Sequence, residues 1–130
     1  MCMTTGRCDS GWAEELPPKC PPTSAQDPSG ETLYRLVETD PPTAIDFQSY
    51  SARGWAVSPT TKPCQAKALS LYVSIERCNV LRKMPRFRAH RLALLVLQPG
   101  DGVLKVGQSD HVHWWPCRGQ NYPSRSTVIG

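Results

Sequence analysis

The chain predicts an α+β fold: a small mixed or mainly antiparallel sheet of about four strands, with two short helices packed on it. Three stretches carry that expectation. Residues 68–98 read as strand, basic helix, strand; residues 32–38 set Leu33, Arg35 and Val37 on one side and Tyr34, Leu36 and Glu38 on the other, ahead of Asp40-Pro41-Pro42; and residues 103–107 follow a Gly-Asp-Gly turn. At 130 residues, of which 39% are hydrophobic, the chain is one domain with one modest core.

Residues 1–31 hold five prolines and only Trp12 and Leu16 as sizeable apolar anchors. So little apolar surface does not offset chain entropy, and a flexible, mostly disordered leader outside the core, or one laid loosely over the domain, is expected. The single domain then spans 32–117. In the first strand, 32–38, Arg35 stands out as a guanidinium among apolar and aromatic neighbours. A water-facing edge arginine is the plain alternative for it. Thr43 and Asp46 have capping-box spacing after two prolines, and Gly54 follows Arg53, so a helix is expected over 44–53, with Phe47 and Tyr50 on its buried face. Residues 55–64, with two prolines, read as a loop long enough to be an active-site or binding loop, or simply an insertion.

Ser74 is placed to cap a helix over 75–84, in which Ile75, Cys78, Leu81 and Met84 share a face before Pro85 ends it. Over 91–97 every residue after Arg91 is apolar, without alternation, as in a strand buried on both faces. The strand at 103–107 is expected to pair with it. In the next run, His111 and His113 would face one side of a strand, beside Trp114 and Trp115. A third metal ligand would have to come from His90, Cys117 or Asp110, and no metal is expected. Residues 118–130 lack periodicity and read as a frayed tail.

Charge is split along the chain. Residues 1–52 hold three basic and eight acidic residues, a net −5, while residues 53–130 hold twelve basic and three acidic, a net +9. Arg77, Arg82, Lys83, Arg86, Arg88 and Arg91 concentrate this excess into a face for nucleic acid or an acidic macromolecule, unless it is merely solvated or covered by the acidic leader. Phe87 and His90 are too few rings for a single-strand stacking platform. The six cysteines include no C-x-x-C pair, which argues against a zinc ribbon or redox motif and for free thiols in a reducing compartment. No apolar run is long enough to cross a bilayer and no signal-peptide segment opens the chain, so a cytoplasmic protein without membrane contact is expected.

Leu33-Tyr34-Arg35, Asp40-Pro41-Pro42-Thr43 with Asp46-Phe47 and Ser49, Leu69-Ser70-Leu71-Tyr72 ahead of a helix, and the His-x-His-Trp ending together resemble small bacterial and phage proteins, themselves distantly similar to ADP-ribosyltransferase and RES-type NAD-consuming domains. The resemblance spans residues 32–115. It implies an NAD-binding domain of a bacterial or phage toxin or effector that performs ADP-ribosyl transfer or NAD glycohydrolysis. It assigns Arg35 to the dinucleotide and Ser70 and Tyr72 to the nicotinamide side. No glutamate follows Glu76, so the late catalytic position falls to Asp110, His111 or His113. The alternative is a non-enzymatic module that binds through the basic face.

Overall fold

The computed structural model describes residues 8–130 and has an α+β architecture. One six-stranded antiparallel sheet is formed by β1 (Glu31–Val37), β2 (Leu69–Tyr72), β3 (Arg91–Leu97), β4 (Val103–Val106), β5 (His111–Trp115) and β6 (Thr127–Val128). Their order across the sheet is β4-β5-β2-β1-β3-β6. Around it lie α1 (Tyr50–Arg53), α2 (Pro63–Ala66), α3 (Ile75–Leu81), α4 (Tyr122–Arg125) and two 3₁₀ segments, Ala44–Phe47 and Pro85–Phe87.

The sheet is wider than the four strands expected. His111–Trp115 is a strand beyond the four expected, and it takes β4 as its hairpin partner, pairing Val103 with Trp115 and Val106 with Val112. The expected pairing of 103–107 with 91–97 is therefore corrected. β3 is occupied on one side by β1, through seven residue pairs from Glu31↔Leu97 to Val37↔Arg91, and on the other by β6. Both β2 and β3 run antiparallel to β1, which lies between them, so α3 carries the chain across β1 from one to the other.

The helix expected over 44–53 is broken in two. Ser49 is extended and its Oγ accepts from the Ala52 N–H, so the chain restarts a helix there instead of continuing one. The carboxylate of Glu14 holds this break by accepting from both Ser49 N–H and Oγ–H, at 2.9 and 2.7 Å. Ser74 caps α3 through the Arg77 N–H, but the helix ends at Leu81, and Met84 is half exposed instead of buried.

Leu33, Leu69, Leu71, Leu95, Leu97, Leu104, Val112 and Trp114 form the main core, closed by Phe47 and Tyr122. Of the expected leader, residues 1–7 lie outside the described residues; for residues 8–31 a second cluster overturns the idea of a loose segment. Ala25 is buried with Val103 and Trp115, and Trp12, Leu16, Cys20 and Cys64 pack against them. Gln26 exchanges two backbone hydrogen bonds with Leu104, and Trp12 bridges to Cys117. Disulfides join Cys8 to Cys117 and Cys20 to Cys64, so the free-thiol reading is corrected for four cysteines; Cys78 is free and buried, and Cys2 lies outside the described residues. Two covalent ties hold a segment whose apolar content alone would not. Gly102, at φ +113°, is where β4 turns in against the Trp115 carbonyl, and any Cβ there would collide with that backbone.

The tail is not frayed. Tyr122 is buried, donates to the carbonyls of Cys117 and Asp101, and packs edge-on to Trp114 at 4.8 Å. Arg125 grips the buried Asp101 with two donors, at 2.8 and 2.6 Å. Burial alone would raise the Asp101 pKa, but the Arg125 hydrogen bonds and the Gln98 N–H outweigh it and hold the carboxyl below its ordinary 3.8. A native pKa below the unfolded one means stability that is complete above the unfolded value and lost as pH falls through the native one. In acid titration of urea unfolding, Asp101→Asn should flatten the decline that the wild-type protein shows below about pH 4.

Candidate functional site

The cleft starts where two strands part. β1 and β2 are joined at one residue pair, Tyr34↔Tyr72; towards Val37 on β1 and Leu69 on β2 the ladder is not continued. Arg35 enters the gap. Alternation puts it on the face of Leu33 and Val37, opposite to Tyr34, yet its long side chain reaches across to the Ser70 carbonyl with Nη1 at 2.7 Å, while Nε donates to the Asp46 carbonyl at 2.7 Å. The water-facing alternative is thereby excluded, for Arg35 is 8% exposed.

A cleft of about 240 Å³ opens at this point, with Arg35, Leu36, Glu38, Ser49, Tyr50, Arg53, Trp55, Ser70, Tyr72, Arg86, His90 and His113 among its lining. Its chemistry is cationic and aromatic. Arg35 makes no ion pair among the described residues, because both of its bonded partners are backbone carbonyls and Asp46 spends its carboxylate elsewhere. Asp46 accepts from Glu38 N–H, Thr39 Oγ1 and Thr43 N–H; burial would raise its pKa, but these donors outweigh that and keep it ionised. Burial also lowers the Arg35 pKa, to about 10, which leaves the guanidinium charged at neutral pH.

At the outer wall Arg53 lies 3.8 Å from the Trp55 ring centroid and pairs with Glu38. The Tyr50 and Trp55 rings are 5.3 Å apart, and Arg86 sits over Tyr50 at 4.7 Å and over Trp55 at 5.4 Å. Glu38 is the only carboxylate among the described residues that line the cleft. Histidines do not supply its positive charge: burial lowers the pKa of His90 and of His113, so both are neutral near pH 7.

The residues expected at the site divide. Arg35, Ser70, Tyr72 and His113 line one cleft. His111 stacks on Tyr72 at 5.3 Å and shares a hydrogen bond with Ser70 Oγ at 2.9 Å. Burial first, then His113 and Arg77, drive its pKa to about 4, which makes it a poor general base. Asp110 stands apart in an exposed turn at φ +63°, accepting from Ser74 Oγ, and is not part of the cleft. Tyr50, Arg53, Trp55, Glu38 and His90 are residues that sequence reasoning did not assign to the site. The 55–64 loop was the usable signal, since Trp55, Ala56, Val57, Ser58 and Thr61 all line the cleft. Among the described residues no group of three or more His, Cys, Asp or Glu is arranged to hold a metal.

The basic run does not form one free face. Arg86 turns into the cleft; Arg82 and Arg91 both donate to the Gly130 carbonyl, and Arg91 also lies 3.6 Å from Asp40. Arg77, on α3, buries its Nε without a hydrogen-bond partner. Lys83 and Arg88 are exposed and, like Arg77 and Arg86, make no side-chain hydrogen bond or ion pair among the described residues. No ion pair among those residues joins a leader carboxylate to this run.

No protein-family model, curated protein or solved structure matches this chain.

Proposed function

We propose that the cleft binds NAD, and that the protein acts on the bond between nicotinamide and ribose, by ADP-ribosyl transfer or by hydrolysis. The observation that carries this reading is Arg35: a buried cation, unpaired with any carboxylate among the described residues, aimed into a cleft walled by Tyr50, Trp55 and Tyr72. Such a group lacks a counter-anion that a phosphate would supply, and charge-assisted bonds to phosphate are the strong ones. The rings offer faces for a nicotinamide or adenine. A space of about 240 Å³ is smaller than the ~300–1,000 Å³ of a typical ligand site, so it suits one mononucleotide half with the other lying over the rim. Glycosidic cleavage builds positive charge on the ribose and favours a nearby carboxylate; Glu38 is the acid at hand in the cleft.

No described helix is long and apolar enough to cross a membrane. Two disulfides fit an oxidising compartment better than the cytoplasm, and an exported effector would meet that condition. Mixing the oxidised protein with NAD, and following heat of binding together with nicotinamide release, alone and with cell lysate, tests the reading. Saturable binding with slow release is expected. A folded sample that neither binds NAD nor releases nicotinamide would remove the proposal.

A further inference from the structure

Resting on the nucleotide reading above, we propose that Arg86 is a second phosphate anchor at the rim of the cleft, so that the site selects diphosphate-bridged nucleotides over monophosphates. Arg86 is exposed, stands on the 3₁₀ segment Pro85–Phe87, and has neither a hydrogen bond nor an ion pair among the described residues. What holds its guanidinium is ring faces alone: Tyr50 at 4.7 Å, Trp55 at 5.4 Å and Phe87 at 5.5 Å.

The other three cationic or ionisable groups at that wall are accounted for. Arg53 is neutralised by Glu38, and burial keeps His90 and His113 uncharged at neutral pH. The cleft therefore presents two uncompensated guanidiniums, Arg35 deep in the strand parting and Arg86 at the mouth, and Tyr50 lies beside both. A single phosphate seated at Arg35 leaves Arg86 without a partner. A pyrophosphate would carry a second anionic group outward, toward the wall of the cleft that Arg86 lines. The ring faces hold Arg86 in place without consuming its donors, because a cation over a ring keeps its N–H edge free.

The experiment is a calorimetric comparison of ADP, AMP and adenosine on the full oxidised chain. ADP is expected to bind the wild-type protein about tenfold more tightly than AMP, the low end for a charge-assisted contact because the rim is open to solvent. In Arg86→Ala the ADP-to-AMP ratio should fall to about one, and Arg86→Lys should restore part of it. If Arg86 only braces the rings, Arg86→Ala would weaken ADP and AMP by the same factor and the ratio would persist, which overturns the assignment while leaving the NAD reading standing. Equal affinity of the wild-type protein for ADP and AMP overturns it too. Absence of binding by ADP, AMP and NAD alike would instead bring down the nucleotide reading, and this inference with it.

Discussion

Arg35→Met should weaken NAD binding about 100-fold and lower folding stability by about 2 kcal/mol, the two effects having separate origins. Binding falls because the variant removes the one cation buried in the strand parting, and a charge-assisted contact to phosphate in a partly desolvated site is worth more than one at the surface. Stability falls for another reason. The Asp46 and Ser70 carbonyls, each now receiving a 2.7 Å hydrogen bond, would lose their donor.

Each orphaned carbonyl costs roughly 1–3 kcal/mol, but removing a buried cation relieves its desolvation cost, so the net loss is well short of the sum. Arg35→Lys sharpens the test. It keeps the charge but lacks the planar fork that spans two carbonyls while facing the cleft, so binding should return only in part. Isothermal titration with NAD and urea unfolding read the two quantities independently. A methionine variant that binds NAD as the wild type does would show that Arg35 is a structural pin and not the anion site.

The strands were legible because burial imposes a period. β1 alternates through Leu33, Arg35 and Val37, and β3 carries Leu92 and Ala93 buried side by side, so both could be read from composition and spacing. Which strand neighbours which could not be read that way. A period of two fixes the face of Val103 but is silent on whether Trp115 or Leu97 lies opposite, and the choice was made by the β4–β5 hairpin and by β6 filling the far edge of β3.

The site divides along the same line. Arg35 announced itself as a charge in an apolar strand, and Ser70 and Tyr72 by sharing a face two residues apart. Their meeting depends on β1 and β2 parting after Tyr34↔Tyr72, a tertiary feature without a local signature. Arg53 and Trp55 lie two residues apart, but Arg86 comes from a distant segment and joins Trp55 through a ring contact alone. Asp110 was drawn in by its neighbours in sequence, yet positive φ turns it to Ser74 instead.

Replacing both disulfides by alanine pairs should bring the protein close to unfolding at room temperature. Cys8 and Cys117 are 109 residues apart and Cys20 and Cys64 are 44 apart. Chain-entropy estimates for loops of that size are about 4–5 kcal/mol each, an upper figure because one loop lies inside the other and the unfolded chain is not random. Even half of their sum is comparable with the ~5–15 kcal/mol by which a domain is stable at all.

The loss should not be uniform. The Cys20–Cys64 bridge ties the leader to α2, next to Gln65 and Ala66 of the cleft wall, and the Cys64 carbonyl accepts the Trp115 indole N–H at 3.0 Å. The Cys8–Cys117 bridge anchors the Trp12 segment, from which Glu14 holds the Ser49 break. Hydrogen exchange on the reduced protein should therefore show protection lost first at residues 8–28 and 49–66, with the β1–β3 ladder the last to open. The buried Cys78 thiol, whose pKa burial pushes up to about 11, should stay unreactive to alkylation until the global transition. If urea midpoints with and without reductant coincide, the leader is held by its packing on Trp115 and Val103 and not by its covalent ties.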